Sequence, residues 1–184
     1  MKTLFSLVIC LIVSVNLIAQ NYNATKGEIS FYSKAPLEDI EAVSSYVISI
    51  INIKTKKIVV ITKITAFKFD NSLMQEHFNE NYLESEKYPD AQFSGTIQED
   101  IDFTKAGTYP ISAMGPLTIH GVAKQRILKG TLTVSPDNLK LVASLEVILE
   151  EHNIKIPTVV SQKIAEKVEV KTNFTFTPYQ EKKK

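Results

Sequence analysis

Apolar residues recur at every second position through most of this chain, and one stretch, residues 71–89, has the 3.6-residue period of a helix instead. Leu139, Leu141, Ala143, Leu145, Val147 and Leu149 alternate with Lys140, Val142, Ser144, Glu146, Ile148 and Glu150. Val168, Val170, Thr172, Phe174 and Phe176 alternate in the same way with Glu169, Lys171, Asn173 and Thr175. Such a period of two puts one side chain inward and the next outward along a half-buried strand. Composition and β-branched content extend the expectation to eight strands, at 28–33, 46–53, 58–69, 92–97, 109–119, 125–134, 139–149 and 168–176.

The connections carry turn residues. Residues 35–40, Ala-Pro-Leu-Glu-Asp-Ile, read as a turn or short helical piece, and Lys54-Thr55-Lys56-Lys57 and Gly121-Val122-Ala123-Lys124 as hairpin connections. Lys105-Ala106-Gly107-Thr108 reads as a loop and Ser135-Pro136-Asp137-Asn138 as a turn. Residues 161–167 are expected to form a short helix before the last strand, with Val160, Ile164 and Ala165 toward the sheet.

The helical stretch has readable ends. Ser72 and Gln75 fit a capping box, and Tyr88-Pro89 closes the segment because proline disfavours helical geometry at the preceding residue. Leu73, Met74, His77, Phe78, Asn81 and Tyr82 share one stripe, while Gln75, Glu76, Asn79, Glu80 and Glu84 face away. One helix among antiparallel strands is placed to cover a sheet face or an open barrel end. The fold class expected is therefore all-β, a sandwich or a barrel. Closure removes the exposed edges that template aggregation, and an eight-stranded barrel is wide enough either to be filled by side chains or to hold one small ligand.

The first residues change the picture of where this protein works. Met1-Lys2-Thr3 precedes an apolar run from Leu4 to Ile18, followed by Ala19-Gln20, which has the form of a secretory signal and is short for a membrane span. The domain plan expected is a signal peptide over 1–20, one barrel domain over 21–179 and a basic tail over 180–184. Cys10, the one cysteine, lies inside the apolar run without a small residue before it, so lipidation is not expected and the mature chain has neither disulfide nor thiol chemistry. Without Lys2 the chain keeps 20 of its 21 basic residues against 20 acidic ones. That balance argues against a nucleic-acid surface.

Catalytic and metal signatures do not emerge. Neither a Gly-x-Ser-x-Gly elbow nor a phosphate-binding glycine loop nor a His-Glu-x-x-His pair is present. His77, His120 and His152 lack ligand spacing, so each is read as supporting packing or hydrogen bonding, with His120 bonded to a backbone group or to the helix. The acidic runs Glu99-Asp100-Ile101-Asp102 and Glu150-Glu151 lie in turn-like stretches and read as solvated loops rather than an acid-base pair.

Several blocks then resemble the YceI-like family in the right order: residues 74–82, Met-Gln-Glu-His-Phe-Asn-Glu-Asn-Tyr; Tyr88-Pro89 with Ala91, Phe93 and Gly95; Gly115 with Leu117-Thr118-Ile119-His120-Gly121-Val122; and Ile154 with Ile156-Pro157 and Lys163-Ile164-Ala165. The first third departs from better-known members, Ser44 to Ile50 standing where a glycine-containing segment is usual. The resemblance implies an eight-stranded, lipocalin-like antiparallel barrel in the bacterial periplasm, enclosing an apolar channel for a lipid of polyisoprenoid or isoprenoid-quinone type. It implies no enzyme, no metal and no cofactor beyond that non-covalent ligand. On that hypothesis the lumen contacts expected are Phe31, Phe69, Phe93, Leu117, Ile119, Leu141, Leu145 and Phe174, with Met74 and Phe78 from the helix and His77 as an anchor of this cover. The alternative is a packed-barrel envelope protein acting through protein partners without a ligand. Transient membrane contact fits the lipid reading; a homodimer is allowed, though no sequence signal points to one.

Overall fold

The structure, a computed structural model, describes residues 20–157, 162 and 164–179. The expected signal peptide and basic tail lie almost wholly outside the described residues. Nine strands form one antiparallel sheet: β1 (Asn21–Lys34), β2 (Asp39–Ser44), β3 (Val47–Asn52), β4 (Lys57–Lys63), β5 (Asp90–Ile97), β6 (Gly107–Ile119), β7 (Val122–Val134), β8 (Leu139–Ile148) and β9 (Lys167–Pro178). From β3 onward each strand pairs with the next, and β1 pairs with both β3 and β9, so eight strands close into a barrel.

β2 is the extra strand, and it corrects the expectation of a turn or helical piece at 35–40. Residues 29–34 of β1 fold back on β2 with Ile29 opposite Ser44 and Lys34 opposite Asp39. The same edge of β1 takes β3 near its start, with Asn23 opposite Ile50. Paired numbers sum alike in both places, so β2 and β3 are two runs of one strand interrupted at Ser45-Tyr46. The expected strand 58–69 also divides: β4 stops at Lys63, a short 3-10 turn follows over Ile64–Ala66, and Lys68 bridges to Val43 of β2.

Alternation decides what fills the barrel. Leu139, Leu141, Ala143, Leu145 and Val147 of β8 are buried, as are Val168, Thr172, Phe174 and Phe176 of β9. One end is packed solid by Ile51, Ile58, Ile97, Leu132, Leu139, Leu141, Phe174 and Phe176, all 0–1% exposed. The β6–β7 hairpin turns on two residues, His120 (φ 51°) and Gly121 (φ 72°), tighter than the four-residue connection expected at 121–124. Two positive φ angles match the twist of the flanking strands, and glycine at the second position takes that geometry without strain.

Helix α1 (Ser72–His77) continues into a π-helical turn over Phe78–Tyr82, so the helical region ends well before Tyr88-Pro89. Its cap is Asn71, not Ser72: the Asn71 side-chain oxygen accepts from the amides of Leu73 and Met74. Gln75 closes no box with Ser72; its side-chain oxygen instead accepts from the Phe69 amide at 3.4 Å. Asn79 donates from its side chain to the Gln75 carbonyl at 2.8 Å, and the chain leaves through Glu84 at φ 43°. The short helix expected over 161–167 lies partly outside the described residues; Gln162, Ile164, Ala165 and Glu166 are not helical, and Lys167 already belongs to β9.

Candidate apolar ligand cavity

The end of the barrel opposite the solid core holds a cavity of about 430 Å³. Its wall is built from the late parts of β1, β4, β6 and β8 and the early parts of β5, β7 and β9, through inward residues such as Ile29, Val60, Phe93, Leu117, Leu128, Val147 and Val170. Antiparallel strands bring those segments to the same end of the barrel. The helix between β4 and β5 lies over that end and contributes Leu73, Met74, His77, Phe78 and Tyr82. Leu73 and His77 are exposed as well as lining, so they stand on the rim.

Eight of the ten residues expected in the lumen share this wall: Phe31, Phe69, Met74, Phe78, Phe93, Leu117, Ile119 and Leu145. Leu141 and Phe174 do not. Both are fully buried in the solid end, away from the cavity. Sequence reasoning passed over Ile40 of β2, Leu83, Ile154 and the inward valines, although the valines lie on the same alternating faces as residues it chose.

Four phenylalanines gather beneath the helix. Phe31 stacks on Phe78 at 5.4 Å between ring centroids and meets Phe67 and Phe69 at 5.5 and 5.7 Å. Phe78 also touches Phe69 at 5.0 Å and Phe67 at 5.8 Å. Tilted and edge contacts of this kind add to the area the rings bury. Gly95 leaves room for the Phe93 ring, since a Cβ there would lie 2.6 Å from a ring carbon.

The histidines take places other than those expected of them. His77 is exposed and its anchoring role falls to Phe78, because the π-helical turn shifts the inward stripe to Met74, Phe78, Tyr82 and Leu83. Asn81, expected on that stripe, is exposed. His120 ties the exit of the helical region to the barrel: its Nε2 lies 2.6 Å from a Glu84 carboxylate oxygen, its Nδ1 is 3.2 Å from the His152 carbonyl, and Tyr88 packs edge-on at 4.5 Å. His152 is fully buried, and its Nδ1 donates to the Val122 carbonyl at 3.0 Å. Burial holds its pKa below the ordinary 6.5, reinforced by Arg126 and opposed by the Val122 and Ile119 carbonyls and by Glu151.

Polar groups of the wall are engaged with the protein itself. The Ser33 hydroxyl accepts from the Ala165 amide, Thr62 donates to the Tyr46 carbonyl and Thr172 to the Ala143 carbonyl. The acidic run 99–102 lies off the cavity and is paired rather than merely solvated. Glu99 accepts from the Ser112 amide and hydroxyl, Asp100 pairs with Lys56 at 2.8 Å and Asp102 accepts from Thr104. Desolvation works to raise the Glu99 pKa, but the Ser112 hydrogen bonds outweigh it and the group stays below its ordinary value. Among the described residues no group of three or more histidine, cysteine or acidic side chains could hold a metal.

Solved structures share this architecture. A polyisoprenoid binding domain from Saccharophagus degradans, implicated in plant cell wall breakdown, matches with a TM-score of 0.73 at 11% identity, covering 88% of this chain and 99% of that one. Burkholderia cenocepacia BcnA matches with a TM-score of 0.64 at 14% identity, covering 81% of this chain and 95% of that one. The Campylobacter jejuni YCEI protein matches with a TM-score of 0.52 at 19% identity, covering 73% and 81%. At these identities the likeness is one of fold. Among curated proteins no sequence matches. The YceI-like domain model matches residues 18–176, nearly all of the barrel described above, and the chain therefore belongs to the YceI-like domain family.

Proposed function

We propose that this protein is an exported, periplasmic binding protein that holds an apolar lipid of polyisoprenoid or isoprenoid-quinone type as carrier or store. The observation that carries the reading is the cavity of about 430 Å³ at one end of a barrel whose other end is packed solid. Its wall is aliphatic and aromatic, and the buried hydroxyls on it are already bonded. A long hydrocarbon chain asks for such a surface: each buried methylene contributes roughly 0.8 kcal/mol before ordering costs. The similar Saccharophagus degradans domain, described as polyisoprenoid binding, supports the ligand class. The arrangement is that of a binder, with selectivity set by cavity width and by a few polar groups at the rim.

Mass spectrometry of organic extracts from the purified mature protein tests this directly. An isoprenoid lipid or quinone is expected at near-stoichiometric yield. If native preparations carry no apolar molecule and isoprenoid quinones fail to bind the purified protein, the reading is wrong.

A further inference from the structure

We propose that the cavity selects lipids with an uncharged head and discriminates against the phosphorylated forms of the same chains; this rests on the lipid-binding reading above. The inner wall offers no free partner to a charged group. Its three buried hydroxyls, Ser33, Thr62 and Thr172, are each spent on a protein backbone group, at 2.9, 3.0 and 3.2 Å. A head therefore sits at the rim, with Asn71, Leu73, His77 and Gln92 around it.

Charge at that rim has the wrong sign for a phosphate. Among the described residues lining the cavity there is no lysine or arginine, and Glu38 places a carboxylate on the wall. Asp70 and Glu76 flank the lining residues on the helix side and Asp39 adjoins Glu38, against Lys68 near the helix and Lys34 on β1. The amides of Leu73 and Met74, which an anion could otherwise use, are taken by the Asn71 side chain. A phosphate monoester carries a charge of about −1.5 to −2 near neutrality and is ordinarily held by arginine or lysine. Here it would lose hydration and gain no cation, whereas a hydroxyl or quinone head asks only for a hydrogen bond that exposed rim groups and water supply.

The test is displacement of an apolar fluorophore from the purified full-length mature protein by geranylgeraniol and by geranylgeranyl phosphate, each below its micelle concentration. The alcohol is expected to compete at least about tenfold better than the phosphate, as a buried uncompensated charge requires. A second arm uses Leu73→Lys, an exposed rim position, where the added cation is expected to narrow that ratio several-fold. Equal or tighter binding of the phosphate, or a ratio unmoved by Leu73→Lys, overturns the selectivity while leaving lipid binding intact. Failure of the fluorophore, the alcohol and the phosphate alike to bind overturns the lipid-binding reading and the selectivity with it.

Discussion

The Phe78 ring lies nearly parallel to the Phe31 ring, 5.4 Å away and tilted by 20°, and this contact joins the helix to the first strand of the barrel. Phe78 also meets Phe67 and Phe69, so one side chain ties the cover to three separate segments. Phe78→Ala is expected to cost about 3 kcal/mol, at the low end for phenylalanine because the ring is only half-buried. Urea unfolding reads that loss, and a parallel titration with an isoprenoid quinone is expected to show weakened binding.

The helix cap can be assigned by substitution. Asn71→Ala removes the oxygen that accepts from the Leu73 and Met74 amides and is expected to lower stability by about 1 kcal/mol. Ser72→Ala, which removes a side chain with no capping role, is expected to change the melting temperature little. Equal losses at the two positions would contradict this assignment.

The two ends of the barrel are expected to respond differently to mutation. Leu141→Ala opens a hole in the solid end and is expected to cost about 2–5 kcal/mol in thermal or urea unfolding, with ligand stoichiometry retained. Val147→Phe projects added volume into the cavity instead. It is expected to keep the fold and to lower quinone affinity by about tenfold or more, measured by titration.

His152 sets a pH dependence whose sign follows from its burial. Its folded pKa lies below 6.5, so near and below that pH the unfolded chain takes up a proton that the folded protein refuses. The stability it contributes is complete above pH 6.5 and declines as the pH falls through the window beneath it. Arg126 and Glu151, paired with each other close by, are the charged groups that act on the ring. Melting temperatures followed from about pH 7.5 down to 5 are expected to fall in the wild type. His152→Gln is expected to be less stable at neutral pH and to show a flatter profile through the same window.

What the sequence made legible was the inward face of each strand, not the position of a residue along the barrel axis. Leu141 and Leu145 sit on one face of β8, four residues and about 13 Å apart at the rise of a strand. One packs the solid end and the other lines the cavity, and no periodicity distinguishes them. β2 escaped notice because Pro36 and the acids Glu38, Asp39 and Glu41 give it the composition of a turn, while its pairing partner lies on β1. The helix was legible as an element, but the π-helical turn rotates its second half, which is why His77 was placed inward and Leu83 was not. His120 was expected to bond a backbone group or the helix region, and it does both.

Closure of the barrel depends on the first and last described strands. β1 and β9 pair from Tyr22 opposite Pro178 to Tyr32 opposite Glu169, and the Tyr179 amide donates to the Asn21 carbonyl at 2.8 Å. These contacts span almost the full sequence, so the seam cannot form until the last strand is available, and loop-closure entropy places this chain among slow folders. The same adjacency makes the order of strands dispensable. A permuted chain that joins residue 179 to residue 21 through a short linker and opens at the Ser135–Asn138 turn keeps every strand pair, and converts the slowest long-range contact into a local hairpin.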